Sequence, residues 1–265
     1  MEIIMSKKEL YGVDGKIWVA LVFAASISGL LVLPYSFEFA GQSLFAQPNV
    51  LEIILITFIQ YLVMFALLAY FGLRISKKIE FEPTPVLAGK TKPRTYLAIS
   101  VVSGILVGLC LVLLDLLLHS IFVFPDISSG AGAPSAIAGF LASFYGGIGE
   151  EVLLRLFLVP FLCLLILGTM RLLGMSKTCK HTDNIMWVSI ILASIVFGLG
   201  HLPATSAIMA ITPSVVLRAV LLNGVGGIVF GWLFFRKGLE FAMISHFSLD
   251  IVLHVLLPLL NFSLL

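Results

Sequence analysis

The sequence predicts an all-α fold: a polytopic bundle of seven or eight membrane-spanning helices around an intramembrane polar cavity. Three observations predict it. Of 265 residues, 60% are hydrophobic and 11% charged, with a mean hydropathy of +1.14; soluble domains carry about 25% charge. Seven apolar runs each reach the roughly 20 residues that a helix needs to cross the hydrocarbon core. Fourteen of the 16 Lys and Arg fall in alternate connections between those runs.

In chain order, residues 1–16 form a mixed-charge tail. No small-residue cleavage site follows it, so the first helix reads as retained and not as a removed signal peptide. The spans are expected at 17–37, 51–74, 96–124, 137–171, 184–203, 208–235 and 239–260. The fourth run is too long for one crossing. Gly146, Gly147 and Gly149 are expected to divide a short leading helix from the spanning one, because glycine weakens a helix interior. Pro258 is expected to break the last run, which would supply an eighth segment. Three regions follow: a tail over 1–16, a three-helix membrane region over 17–136, and a core over 137–265.

Basic residues orient the bundle by the positive-inside rule. Lys7, Lys8 and Lys16 precede the first span, and Arg74, Lys77, Lys78, Lys90, Lys92 and Arg94 fill the second connection. Arg171, Lys177 and Lys180 occupy the fourth, and Arg236 with Lys237 the sixth. The N-terminus is therefore expected in the cytoplasm, with the protein in a bacterial cytoplasmic membrane. The net charge of +2 gives no reason to expect nucleic acid; the lipid bilayer is the expected surrounding. Cys110, Cys163 and Cys179 have no paired spacing, so neither a disulfide framework nor a CxxC metal motif is present. They read as packing residues.

Against this apolar background Glu150 and Glu151 stand side by side in a span. A charged side chain at bilayer depth costs roughly 2.5–3.5 kcal/mol on insertion scales, so such a doublet needs partners. Arg155 lies four residues after Glu151, on the same helical face and in the favourable order for a pair. Glu150, about 100° away on an ideal helix, is left aimed towards the bundle interior. A plain Glu–Arg pair locking two helices would account for Glu151 but not for Glu150. His201 ends the fifth span in Phe197-Gly198-Leu199-Gly200-His201, with Phe197 one turn earlier and the glycines permitting close helix approach. His246 and Asp250, four residues apart in the seventh span, make an imidazole–carboxylate pair of the kind that orients metal-bound or catalytic histidines. The plainer alternatives are interfacial or core histidines and a buried His–Asp pair joining helices.

Taken together, Glu150, Glu151, His201, His246 and Asp250 are expected to meet in one cavity, because burying them separately is costly. Depth counting opposes this. His246 lies nine residues beyond Lys237, roughly 13 Å at 1.5 Å per residue, whereas His201 counts nearer the other surface. Other polar groups in the spans are Asp115 with His119, read as structural or interfacial, and Arg218, read as snorkelling to the surface. Asn223 is expected to hydrogen-bond into the cavity, His254 to neighbour Asp250, and His181 to be solvated.

The stretches EEVLLR, FGLGH and HFSLD resemble the EExxxR, FxxxH and HxxxN/D motifs of the CPBP family. That family holds the type II CAAX prenyl endopeptidases and the abortive-infection and bacteriocin-processing proteins. The likeness continues through GVGGIVFGWLFFRKGLEFAMISHFSLD and covers about residues 137–255. It implies an intramembrane endopeptidase acting on a peptide or membrane-anchored protein. Glu150 and His201 would activate water, His246 and Asp250 would stabilise the oxyanion, and Arg155, Phe197 and Asn223 would support them.

Whether such a protein works as a metalloprotease or through glutamate alone is open in the family. The prenyl endopeptidases carry Asn at the position of Asp250, and an ionised carboxylate would repel an oxyanion that Asn would bind. Asp250 is therefore protonated and orients His246, or it faces a cation. The second case points to zinc on Glu150, His201 and His246, with Glu151 as base. Brief, bacterial-looking loops favour a secreted peptide precursor, pheromone or bacteriocin over a prenylated substrate. The competing readings are a proton-coupled transporter, which would ordinarily show an internal repeat, and a non-proteolytic scaffold or immunity protein of the same family. The oligomeric state is not legible in the sequence.

Overall fold

A computed structural model describes residues 9–10, 13–175, 178 and 180–260. Seven helices are long and apolar enough to cross a membrane: α1 (Gly15–Phe39), α2 (Val50–Lys78), α3 (Leu97–Ile121), α4 (Ala136–Leu172), α5 (Asp183–Ser206), α6 (Pro213–Lys237) and α7 (Leu239–Leu259). The protein is an all-α integral membrane protein. The β structure among the described residues is a two-residue ladder pairing Glu9–Leu10 with Val13–Asp14. No eighth span appears among them: past Asp250 the last helix widens into π turns over Ile251–Leu256 and runs on through Pro258. Lys7, Lys8, Lys177 and Cys179, together with most of the 1–16 tail, lie outside the described residues.

Local chemistry explains where the helices start. Asp14 accepts from the amides of Lys16 and Ile17, Ser135 from Ala138, Thr182 from Ile185 and Thr212 from Val215. Each cap satisfies an amide that the first turn leaves free. α6 ends at Gly238, whose φ of 115° is open to glycine and strained for other residues. α1 is interrupted at Val32 and restarts with Pro34 in its first turn, where the missing N–H costs nothing.

The helices pack through small residues, as expected where lipid provides no hydrophobic drive between them. α5 and α6 meet at Gly198, where a Cβ would stand 2.6 Å from Val220 Cα. Gly200, expected to share that role, faces open space. Outward stripes such as Leu51, Leu55, Ile59, Val63 and Leu67 on α2 are exposed and suit a lipid surface. Cys163 is buried in the core, whereas Cys110 is exposed on α3.

The alternate connections gather at two ends of the bundle. At the basic end Lys180 pairs with Glu80 at 3.2 Å, Arg236 with Asp183 at 2.6 Å, and Lys90 with Glu82. These are exposed and worth about 0–1 kcal/mol each, so they mark that end rather than hold it. His181 is less solvated than expected: its ring bonds the Ile79 carbonyl at 2.9 Å and packs on Phe81 and Phe235. The start of α7 is anchored there, with Leu239 N–H donating to Pro83 O and Glu240 accepting from the amides of Val86 and Leu87. At the opposite end Glu38 accepts from the Ser135 amide at 2.6 Å.

Arg218 does not snorkel. It forms a fork onto buried Asp115 of α3, at 2.6 and 2.9 Å, because a carboxylate deep among helices needs a counter-charge more than the guanidinium needs water. His119 flanks the same carboxylate at 3.6 Å.

Candidate active site

α4 carries the acid doublet, and its winding decides where the acids point. The expected break at Gly146, Gly147 and Gly149 does not occur. The helix instead continues for 37 residues and widens into π turns over Tyr145–Glu150 and Val152–Leu158. Wide turns of this kind are rare and concentrate at functional sites. They also reduce the angle between successive side chains below the α-helical value. The glycines serve approach: a Cβ on Gly147 would stand 2.9 Å from Phe247 Cβ, and one on Gly146 would overlap Asp250 Oδ2.

Two adjacent acids thereby reach the two nitrogens of one imidazole. Glu151 Oε1 lies 2.8 Å from His246 Nδ1, and Glu150 Oε2 lies 3.7 Å from His246 Nε2. Glu151 is fully buried and is neutralised as expected by Arg155, at 2.8 Å. Arg155 also donates to Gly227 O at 3.2 Å. Its guanidinium lies 5.1 Å from the Phe197 ring centre and 5.4 Å from that of Phe230. Asp250 Oδ1 lies 3.7 Å from His246 Nε2, so this nitrogen faces two carboxylates across gaps that suit a bridging water.

His201 stands at the margin. Its Nδ1 lies 2.9 Å from Phe197 O, and a carbonyl only accepts, so Nδ1 bears the proton and Nε2 offers a lone pair. Among the described residues no hydrogen bond or ion pair joins His201 to Glu150, His246 or Asp250. The Phe197 ring stands between the two histidines: its centre lies 4.8 Å from the His201 ring and 5.8 Å from that of His246. Asn223 donates from Nδ2 to Ala219 O in its own helix, at 2.9 Å, and not to these acids and imidazoles.

Two neighbours escaped the sequence reading. Phe230 stacks on His246 with centres 4.5 Å apart, but a phenylalanine in an apolar helix carries no signal. Tyr35 reaches His254 Nδ1 at 3.2 Å; the only hint was a polar aromatic placed directly after Pro34. The site gathers its polar side chains within 2.8–3.7 Å of His246. A cavity of about 50 Å³ lies elsewhere, lined by His119, Phe124, Pro125, Ile127, Met209 and Arg218, and is far smaller than a peptide site needs.

Of the three residues expected to hold zinc, Glu150 and His246 stand together at 3.7 Å, and His201 lies across the Phe197 ring from His246. Glu151 on Nδ1 of His246 leaves Nε2 open, and the His201 ring bonds the Phe197 carbonyl through Nδ1 and leaves its own Nε2 open. Among the described residues no three His, Cys, Asp or Glu side chains form a group able to hold a metal ion.

Residues 132–252 match the family model of the type II CAAX prenyl endopeptidases, Rce1-like. The match agrees with the CPBP resemblance of the motifs. It is a protease family, and the matched stretch contains both acids, both motif histidines and Asp250. Tyr35 and His254 lie outside it. No curated protein and no solved structure matches the chain.

The snug seat of Asp250 gives a prediction. Gly146→Ala would place a methyl against Asp250 Oδ2 and 3.2 Å from His246 Nε2. A displacement of about 1 Å at reacting groups costs on the order of 100-fold in rate. If the chain is a peptidase, processing by this variant should fall by that order while its melting temperature in detergent stays near the wild type; unchanged turnover would show that the seat does not matter.

Proposed function

We propose that this chain is an intramembrane endopeptidase that hydrolyses a peptide bond in a peptide or membrane-anchored protein presented from the bilayer. One observation carries the reading: two neighbouring carboxylates meet the two nitrogens of a single buried imidazole. Glu151 holds Nδ1, so Nε2 is the nitrogen offered to substrate, beside Glu150.

In this scheme a water sits between Glu150 Oε2 and His246 Nε2. Glu150 takes a proton as the water oxygen attacks the scissile carbonyl carbon. The resulting oxyanion is met by Nε2–H of His246 in its imidazolium form. Glu150 then returns the proton to the amide nitrogen, the C–N bond breaks, and an acid and an amine leave. Asp250, 3.7 Å from the same nitrogen, acts as an orienting group for His246. The alternating basic connections support a cytoplasmic N-terminus in a bacterial membrane, testable by reporter fusions at the two ends of the bundle.

The decisive test reconstitutes the protein in vesicles with unprenylated precursor peptides and, separately, farnesylated C-terminal peptides. New termini are read by mass spectrometry. Cleavage by the wild type and none by Glu150→Ala is expected, and which peptide is cut identifies the substrate class. Equal cleavage by both proteins would reject the reading, and peptide binding without cleavage would favour a scaffold. Stoichiometric zinc in the purified, active protein would overturn the metal-free scheme.

A further inference from the structure

Beyond the matched stretch, the polar cluster continues along α7 and onto α1. His246, Asp250 and His254 recur every four residues, and the π turn over Ile251–Leu256 carries His254. His254 Nε2 lies 4.0 Å from Asp250 Oδ1, the oxygen that also faces His246 Nε2 at 3.7 Å. On its other side His254 Nδ1 lies 3.2 Å from Tyr35 Oη, and the two rings meet edge to face with centres 5.3 Å apart. The restart of α1 at Pro34 brings Tyr35 to this place. The His254 backbone is also held, because its carbonyl packs against Gly139 where any Cβ would collide.

We propose that Tyr35 and His254 are positioning residues of the site, a brace that fixes Asp250 between two imidazoles; this rests on the peptidase reading above. A neutral imidazole has one N–H and one lone pair. The nitrogen turned to a carboxylate is the one that gains from bearing the proton, so His254 presents Nε2–H to Asp250. Nδ1 is then an acceptor, and the Tyr35 hydroxyl is the donor that fixes this tautomer. Asp250 Oδ2 is stopped by Gly146, so its carboxylate is held on three sides: by His246, by His254 and by the α4 backbone. Removing the Tyr35 hydroxyl frees His254 to exchange tautomers and lets Asp250 turn from His246.

The test uses the full chain in detergent and in vesicles, comparing Tyr35→Phe, His254→Leu and His254→Gln with Glu150→Gln. Tyr35→Phe and His254→Leu should each lower kcat by about tenfold or more with KM little changed, the signature of an interaction that acts in the transition state. His254→Gln, whose amide can donate at the same reach, should recover kcat to within about threefold. Independently of activity, ¹⁵N-histidine NMR should show His254 as the Nε2–H tautomer and a mixture in Tyr35→Phe. Wild-type kcat in both Tyr35→Phe and His254→Leu, or a His254 signal indifferent to Tyr35→Phe, would overturn the brace. If the wild type is as inactive as Glu150→Gln while the His254 signal still responds, the peptidase reading falls and the brace stands.

Discussion

Glu150→Gln is expected to lower peptide cleavage by about 10²–10⁴-fold, the range that a positioned general base contributes. The substitution keeps the shape and most of the polarity of the side chain while removing its capacity to take a proton. Glu150 is also the less committed acid: it is half-buried, and its contact with His246 is 3.7 Å, whereas Glu151 is fully buried on Arg155 and His246 at 2.8 Å. The protein should therefore accumulate and melt like the wild type, because no close ion pair is lost. Single-turnover cleavage in vesicles checks the first expectation and a detergent melt the second. A Glu150→Gln protein with wild-type turnover would remove the water-activating role from this residue.

Arg155→Met is expected to act on stability instead. It leaves the Glu151 carboxylate buried without its counter-charge, and breaking such a pair from one side costs about 3–5 kcal/mol. The guanidinium also donates to Gly227 O and lies over Phe197 and Phe230, so its loss loosens contacts among α4, α5 and α6. Low yield and a strongly lowered melting temperature should follow. The double variant Glu151→Gln, Arg155→Met removes both charges and should regain much of the stability. It should stay inactive, since Nδ1 of His246 then faces a neutral amide. A double variant no more stable than Arg155→Met would show that the charge pair is not what the fold needs there.

Much of this arrangement was legible in the sequence. The seven spans lie close to where hydropathy put them, because length and apolar content decide insertion before any packing occurs. The Glu151–Arg155 pair was readable because spacing of four residues is local and survives in almost any helix. What was not legible came from the third dimension. The glycines of α4 read as a break, yet close packing against α7 keeps the helix continuous and widens it. Arg218 read as a surface cation, since nothing in the chain indicates that Asp115, 103 residues away, lies beside it. Phe230 was silent for the same reason, and Tyr35 gave no more than its place after Pro34: their meaning lies in a neighbour supplied by another helix.

The notch that Gly146 leaves for Asp250 also limits how the protein can be re-tuned. A side chain one methylene longer at position 250 would drive its head group into the α4 backbone, whereas asparagine has the same outline and would slip in. Chemistry at that spot can thus be exchanged between an acid and an amide without redesigning the surroundings, while a longer side chain requires moving a helix.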